Sequence, residues 1–337
     1  MSPVHFREQA WGFLKEFLNA ETAVILCDSN TKICLDLLQR CCPSAAELPV
    51  IEIPAGEENK RLKTCEKVWY ELTELGTNRK TVLINLGGGV VTDLGGFVAS
   101  TFMRGIRFIN IPTSMLGMAD AAIGGKTGVD FGVLKNMVGT FTQPEAVLID
   151  SNFLKTLPSR QYKNGLAEVL KHAFISDKTI LDLMYANEDE LISTSVNAKL
   201  GVVKADLFES GERKKLNFGH TLGHAIESHF LEDDEPILHG EAVAAGMIME
   251  SHISKSAVGL SEEDYESLIS LTDSIFKRVS LTNSDWLAIK NLLIHDKKNT
   301  NGKVQFVLLS KLGEAVVDQE VSVSQLDNAF EAYQEGK

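Results

Sequence analysis

The sequence predicts two domains: an α/β domain over 1–157 and an all-α domain over 158–337. Three observations lead there. Short apolar runs alternate with amphipathic stretches through the first half, the signature of parallel βαβ units. Strand signals nearly vanish after Pro158. At 337 residues the chain is long for one domain and suits two.

In chain order, residues 4–19 carry Phe6, Ala10, Phe13, Leu14, Phe17 and Leu18 at helical spacing and predict a first helix. Residues 22–28 read as a buried strand ending in Asp28-Ser-Asn30, a turn able to touch a ligand. A helix over 31–41, a strand over 50–54, a loop over 54–60 and a helix over about 61–75 follow. The clearest strand, 81–86, runs straight into Gly87-Gly-Gly-Val-Val-Thr-Asp93. Glycines at such a junction let a backbone approach a pyrophosphate, which the next helix N-terminus can bind. The GxGxxG fingerprint is not met, because Thr92 stands where the third glycine belongs; phosphate binding and a tight structural turn both remain open. Strands at 107–112 and 143–150 complete the set, and 153–158 closes the α/β half. Gly124-Gly-Lys-Thr127 lacks P-loop spacing, yet a glycine loop offering Lys126, with Lys135-Asn136 nearby, suits a small anion as well as it suits a solvated loop. Beyond Pro158, helices are expected over 160–185, 188–207, 214–230, 240–258, 262–278 and 284–296, with extended runs only at 304–309 and 315–317.

Composition narrows the function. Hydrophobic content of 44% and charged content of 23% are those of a soluble globular protein. Thirty-three basic against 46 acidic residues leave a net charge of −13, which argues against nucleic acid as partner. An anionic ligand must be held by a local cluster, for which Arg104, Lys126, Lys135, Lys171, Lys199 and Arg213 are the candidates. Five cysteines, an odd number with no CxxC, suggest free thiols in a reducing cytoplasm. With neither a signal-peptide pattern nor an 18-residue apolar run, a cytoplasmic protein without membrane association is expected.

The most chemical stretch is Arg213-Lys-Lys-Leu-Asn-Phe-Gly-His-Thr-Leu-Gly-His224. Read as one helix, it aligns Arg213, Asn217, His220 and His224 on a stripe where apolar residues normally stand. His239 follows a loop later. Converging imidazoles suggest a metal, and Glu168, on an otherwise apolar helix face, is the best carboxylate to complete it. His172, His229, His252 and His295 read as structural histidines.

These motifs, taken together, resemble the 3-dehydroquinate synthase family over nearly the full length. The matching stretches are Pro54-Ala-Gly-Glu-Glu-Asn-Lys60, the 87–93 turn, Phe102-Met-Arg-Gly105, Pro112-Thr-Ser-Met-Leu116, Asp120 through Lys126-Thr-Gly, Lys135-Asn-Met-Val-Gly139, Ala167-Glu-Val-Leu-Lys171, the 213–227 stretch and Leu238-His-Gly-Glu-Ala-Val243. The resemblance implies a Rossmann-like NAD-binding domain joined to a metal- and substrate-binding domain. It implies Glu168, His220 and His239 as ligands of zinc or cobalt. For NAD it implies Asp28, Asn30, Gly56, Glu57, Lys60, Gly89, Val90, Val91, Thr92, Asp93, Thr113, Ser114, Lys126, Lys135, Phe153, Leu154, Lys155 and Thr156. Substrate contacts carried over are Asp120, Lys126, Asn136, Lys171, Lys199, Arg213, Asn217 and His224, with Asp120, Lys126, Lys171, Asn217 and His224 catalytic. Arg104 matches an arginine offered to a neighbouring subunit, implying a homodimer, and Lys297 or Lys298 should reach the substrate phosphate. The implied reaction closes 3-deoxy-D-arabino-heptulosonate 7-phosphate into 3-dehydroquinate. Ser114, Ala122 and Asp130 depart from the family pattern, and the chain between Glu168 and Lys199 is short. A sister cyclase acting on a neutral sugar phosphate, or a metal-dependent polyol dehydrogenase, are the alternatives; Lys199, Arg213 and Asn217 favour a substrate with a carboxylate.

Overall fold

The computed structural model describes residues 1–337 except Val133, Glu232, Asp234, 295–303 and Lys337. The chain divides into two compact units, 1–162 and 163–337.

The first unit is built on a parallel sheet. In chain order it contains β1 (Val4–Phe6), α1 (Glu8–Ala20), β2 (Ala23–Asp28), α2 (Leu35–Cys41), β3 (Val50–Ile53), α3 (Leu62–Glu74), β4 (Val82–Gly87), α4 (Gly89–Thr101), β5 (Arg107–Pro112), β6 (Lys126–Phe131), β7 (Leu134–Phe141) and β8 (Ala146–Ile149). The six-stranded sheet runs β1-β8-β5-β4-β2-β3, every pairing parallel. β2, β4 and β8 are buried along their whole length, as continuous apolar strands covered on both faces must be. Helices α3 and α4 seal one core, in which Val68, Leu72, Leu94 and Val98 meet Leu26, Ile51 and Leu83.

Strand order reverses at β2: the chain steps outward to β3, then returns to place β4 on the other side. That reversal is a topological switch point, where α/β sheets open a crevice at the carboxyl ends of the strands. Asp28 ends β2 and Gly87 ends β4, so both border it.

Two features here were not anticipated. Residues 4–6 are an edge strand on β8, with Phe6 opposite Ile149, and the helix begins only at Glu8 after Arg7 turns the chain at φ 53°. The glycine loop read at 124–127 leads at Lys126 into an antiparallel hairpin, β6–β7, which the sequence reading did not assign. Gly128 and Gly139 face each other there so closely that a Cβ on Gly139 would lie 2.2 Å from the Thr127 carbonyl oxygen. Those glycines serve strand pairing and not flexibility.

The second unit contains α5 (Ser159–Ile175, entered at its second turn), α6 (Thr179–Leu183), α7 (Glu188–Ala205), α8 (His220–His229), α9 (His239–Ala257), α10 (Glu262–Ile275), α11 (Asn283–Ile294), β9 (Gln305–Lys311), β10 (Glu314–Glu320) and α12 (Val323–Glu335). It is mainly helical but not all-α, since β9 and β10 pair as a hairpin. The expected 160–185 helix breaks after Ile175. Helix α12 was not anticipated, although Leu326, Ala329, Phe330 and Tyr333 keep helical spacing behind a Ser322/Gln325 capping box. Its apolar face joins α8, α9 and α11 in the main core. Among the described residues, no helix is long and apolar enough to cross a membrane.

Trp286 stacks on Phe330 at 4.8 Å and donates its Nε1–H to Asp327 at 2.7 Å. Trp286→Ala is expected to lower stability by about 3–5 kcal/mol, read from urea unfolding; a change under about 1 kcal/mol would show that this stack does not anchor the core.

Candidate functional site

Three helices of the second unit converge on one carboxylate oxygen. Glu168 of α5 is wholly buried, and its Oε1 lies 3.3 Å from His220 Nε2 of α8 and 3.2 Å from His239 Nε2 of α9. The other oxygen, Oε2, is ion-paired with Lys171 one turn on. The three ligand atoms of Glu168, His220 and His239 lie within 4.8 Å of one another.

Hydrogen bonds on the far side of each ring fix which nitrogen faces the carboxylate. His220 Nδ1 is 3.0 Å from the Phe218 carbonyl oxygen, which can only accept, so Nδ1 carries the hydrogen. His239 Nδ1 lies 3.2 Å from Glu227 Oε2, with the same consequence. Both Nε2 atoms thus face the one carboxylate oxygen, where His239 donates a hydrogen until an ion takes its place. A carboxylate, two Nε2 atoms and a carboxylate behind one imidazole make up the donor set of a divalent transition-metal site. The residues fit the ion.

Charge states point the same way. Burial pushes the Glu168 carboxyl up, but Lys171, then His220 and His239, outweigh it and hold it well below the usual carboxylate range. Burial and the Lys171 ammonium lower His220, keeping it neutral as a ligand must be. Burial also works to lower His239, but hydrogen bonds to Glu168 and Glu227 overcome it and push that imidazole up to about 10. An arriving ion must therefore displace a proton from His239.

The polar stripe is not one helix. Residues 212–217 form a short 3-10 stretch, Gly219 turns the chain at φ 75°, and α8 starts at His220. Only His220 and His224 share α8, their ring centroids 5.1 Å apart. Left-handed Gly219 breaks the period that spacing alone appeared to continue. Arg213 is nonetheless buried, donating Nη1–H to the Leu207 carbonyl at 2.7 Å, and Asn217 donates to Glu209 Oε1 at 2.6 Å. Lys199 of α7 is buried as well. Sequence reasoning missed two side chains, Glu227 behind His239 and Asn164 of α5, whose Oδ1 accepts the Gly240 N–H at 2.5 Å and pins the start of α9. A charged residue in the apolar run Ala225-Ile-Glu227 was the available signal.

In the first unit the expected cofactor residues other than Lys126 and Lys135 lie at the carboxyl ends of β2, β3, β4, β5 and β8. Asp28 Oδ1 accepts the N–H groups of Asn30 at 3.0 Å and Thr31 at 2.7 Å, shaping the turn after β2. In the 54–60 loop, Gly56 stands at φ 106° and Glu57 opens a 3-10 turn that ends at Lys60. Helix α4 starts on Gly88 and Gly89 with no side-chain cap, leaving its first-turn N–H groups for an anion. Val91 and Thr92 are buried, so they can meet a ligand there only through backbone, while Val90 is half-buried. Thr113 N–H donates to the Gly87 carbonyl at 3.0 Å, and Ser114 Oγ accepts from Gly117 at 3.1 Å. Phe153 and Leu154 are buried, Phe153 edge-on to Trp11, whereas Lys155 and Thr156 are exposed.

Lys60 ties this region together. Its buried Nζ donates to Asp93 Oδ2 at 2.6 Å and to Asn136 Oδ1 at 2.7 Å. Burial disfavours its charge, but Asp93 and Glu57 outweigh that and keep the ammonium charged. Asn136 sits at φ 51°, held by Asp130 Oδ1, which accepts its N–H at 2.7 Å. Lys126 and Lys135 lie on the same hairpin, and Asp120 sits in a π-helical stretch over 117–121. Arg104 is exposed in a left-handed turn, at φ 68° between Met103 at 52° and Gly105 at 114°. Lys297 and Lys298 lie outside the described residues.

Comparison with known proteins decides the lineage. The family model for the 3-dehydroquinate synthase N-terminal region matches residues 50–164, and that for the C-terminal region matches 165–299. The chain belongs to the 3-dehydroquinate synthase family. It is 38% identical over 335 residues to the 3-dehydroquinate synthase of Parabacteroides distasonis, covering 96% of this chain and 95% of that one. Among solved structures it resembles 2-epi-5-epi-valiolone synthase from Streptomyces hygroscopicus with NAD+ and Zn2+ bound, at TM-score 0.86 and 25% identity, covering 100% and 98% of the two chains. It also resembles 2-deoxy-scyllo-inosose synthase complexed with carbaglucose-6-phosphate, NAD+ and Co2+, at TM-score 0.85 and 26% identity, covering 99% and 96%.

Two outcomes test the metal geometry. Binding of Zn2+ at pH 7.5 should release close to one proton per ion, because His239 is held to about 10; release near zero in a pH-indicator titration would show His239 already neutral. Glu227→Gln should weaken Zn2+ binding by about 10–100-fold in chelator competition.

Proposed function

We propose that this chain closes 3-deoxy-D-arabino-heptulosonate 7-phosphate into 3-dehydroquinate and phosphate. The observation that carries the reading is the Glu168–His220–His239 cluster in a chain whose family motifs run in order through both units. Its ligands would be Glu168, His220 and His239, with zinc or cobalt the ions that suit two imidazoles and a carboxylate. The NAD site would lie at the β2/β4 switch point, with Asp28, Asn30, the 56–60 loop, the Gly89–Asp93 turn, Thr113 and Ser114.

When bound, NAD+ would supply a transient hydride acceptor for the C5 carbinol and the divalent ion a Lewis acid for the C5 oxygen. The C5 ketone acidifies the C6–H; loss of that proton and cleavage of the C7–O bond release phosphate. Reduction of C5 back to a carbinol, for which the bound cofactor would supply the hydride, then ring opening and attack of the C7 enolate carbon on the C2 carbonyl would close the carbocycle with no net redox change.

The chain's own residues bind and move protons around these steps. Lys126 and Asn136 would hold the phosphate. Because Asn136 Oδ1 accepts from Lys60, its Nδ2 hydrogens are the atoms able to meet a phosphate oxygen. Arg213, in bidentate fashion, and Lys199 would hold the carboxylate. His224 lies on the same helix as His220, and Lys171 is paired with Glu168; with Asp120 and Asn217 they would manage protons near the C5 oxygen. Asp130, a departure from the family pattern, spends one oxygen on the Asn136 N–H.

A homodimer is part of this proposal. Exposed Phe131, Leu134, Met137 and Phe141 line the β6–β7 hairpin, and Met103 adjoins Arg104. Backbone strain at an exposed arginine suits a group presented to a partner. A cytoplasmic site of action accords with five free cysteines.

The test is phosphate release from the heptulosonate phosphate with substoichiometric NAD+. Many turnovers per NAD+ without NADH accumulation are expected, and His220→Ala should abolish both metal binding and turnover. Stoichiometric NADH would instead identify a dehydrogenase, and turnover only on a neutral sugar phosphate would identify a sister cyclase.

A further inference from the structure

Deep in the second unit lies a carboxylate that the chemistry above does not use. Glu250 of α9 is wholly buried. Its Oε2 accepts the Gly219 N–H at 2.6 Å and its Oε1 accepts the Leu222 N–H at 3.0 Å. These donors bracket His220: Gly219 caps α8 without any side chain to offer, and Leu222 is the third residue of that helix. First-turn N–H groups have no partner within their own helix, and the positive end of the helix dipole favours an anion there. Glu250 therefore caps α8 from a neighbouring helix.

The approach that allows this is unusually close. One turn before Glu250, a Cβ on Gly246 would stand 2.0 Å from the Gly219 carbonyl oxygen and 2.8 Å from the Gly223 nitrogen. On α8, a Cβ on Gly223 would come within 3.1 Å of the Val243 Cα. Glycines bring the two backbones together, and Glu250 then locks the first turn of α8 in place. Helix α9 starts at His239, about three turns before Glu250. One rigid helix thus holds one candidate ligand at its N-terminus and fixes the backbone of another.

We infer that Glu250 is a positioning residue that sets the place of His220 relative to His239, and so the geometry of the metal centre. The inference rests on Glu168, His220 and His239 being the metal ligands. A carboxylate that only stabilised the core would influence melting temperature without changing ligand geometry. In Glu250→Gln one amide oxygen can still accept an N–H, but the Nε2 cannot accept the other, so α8 loses one of its two ties.

The experiment titrates Co2+ into the metal-stripped full-length chain, reading the visible absorption of the bound ion and its affinity against a chromophoric chelator. Wild type should take up one ion, and His220→Ala should lose it. Glu250→Gln should still bind, with affinity lowered about tenfold or more and altered visible bands. Leu326→Ala, which weakens the core at α12, should melt at a lower temperature but keep Co2+ affinity within about twofold and an unchanged spectrum. If Glu250→Gln is recovered unfolded, Glu250→Asp keeps the charge, draws the oxygens back by one methylene and carries the same expectation. Wild-type affinity and spectrum in a folded Glu250 variant would overturn the inference. Failure of wild type to bind Co2+, or retained binding by His220→Ala, would instead overturn the ligand assignment.

Discussion

A carboxylate without water around it, Glu168, sets the terms for the second unit. Burying an ionised carboxylate is tolerable only beside positive charge and hydrogen-bond donors. Lys171 meets one oxygen and two imidazoles crowd the other. Breaking such a buried pair typically costs about 3–5 kcal/mol, whereas an exposed pair such as Lys32–Glu52 is largely screened by solvent. Lys171 balances the charge at one oxygen, and two further nitrogens converge on Oε1. With Nδ1 of each ring bonded to Phe218 or Glu227, both Nε2 atoms face that oxygen, the arrangement of a candidate ligand set in which an ion would replace the His239 proton.

Convergence demands helices that come close, and small residues permit it. Gly240 sits so near α5 that a Cβ would lie 2.1 Å from the Asn164 carbonyl oxygen, while Gly246 and Gly223 do the same between α8 and α9. Each close approach is secured by a side chain reaching a backbone N–H at a helix start: Asn164 for α9 and Glu250 for α8. Helix starts are where unpaired donors occur, so a ligand-bearing residue placed there gains a fixed backbone along with a free side chain. His220 and His239 are both first residues of their helices.

The first unit solves a different problem, holding anions with a chain of net charge −13. A helix N-terminus contributes positive potential without any charged residue, and α4 offers one at the switch point of the sheet. Lys60 adds an ammonium that Asp93 and Glu57 keep charged despite burial, and links the glycine turn to Asn136 on the hairpin. Strain at Asn136 is confined by Asp130, which gives that buried carboxylate a definite local task.

Alternation of apolar strands with amphipathic helices was enough to reveal the α/β half, because a parallel sheet covered on both faces leaves continuous runs such as 82–87. The candidate metal ligands were legible as residue types, and motif order identified the family. Periodicity failed where backbone conformation, invisible in a hydropathy pattern, decided the outcome: Gly219 ended what looked like one helix across 213–224, and facing glycines made 126–141 a hairpin. The C-terminal helix α12 was readable from its spacing and cap and was overlooked. The partners of Glu227, Asn164 and Glu250 could not be read, since each acts on a group 12 to 76 residues away in sequence. Sequence by itself determined the fold class, the family and the kinds of atoms at the site. Only the tertiary structure decided which nitrogen of each histidine faces the carboxylate and what holds it there, because the hydrogen bonds that orient the rings and pin the helix ends form only in the folded chain, where no local pattern encodes them.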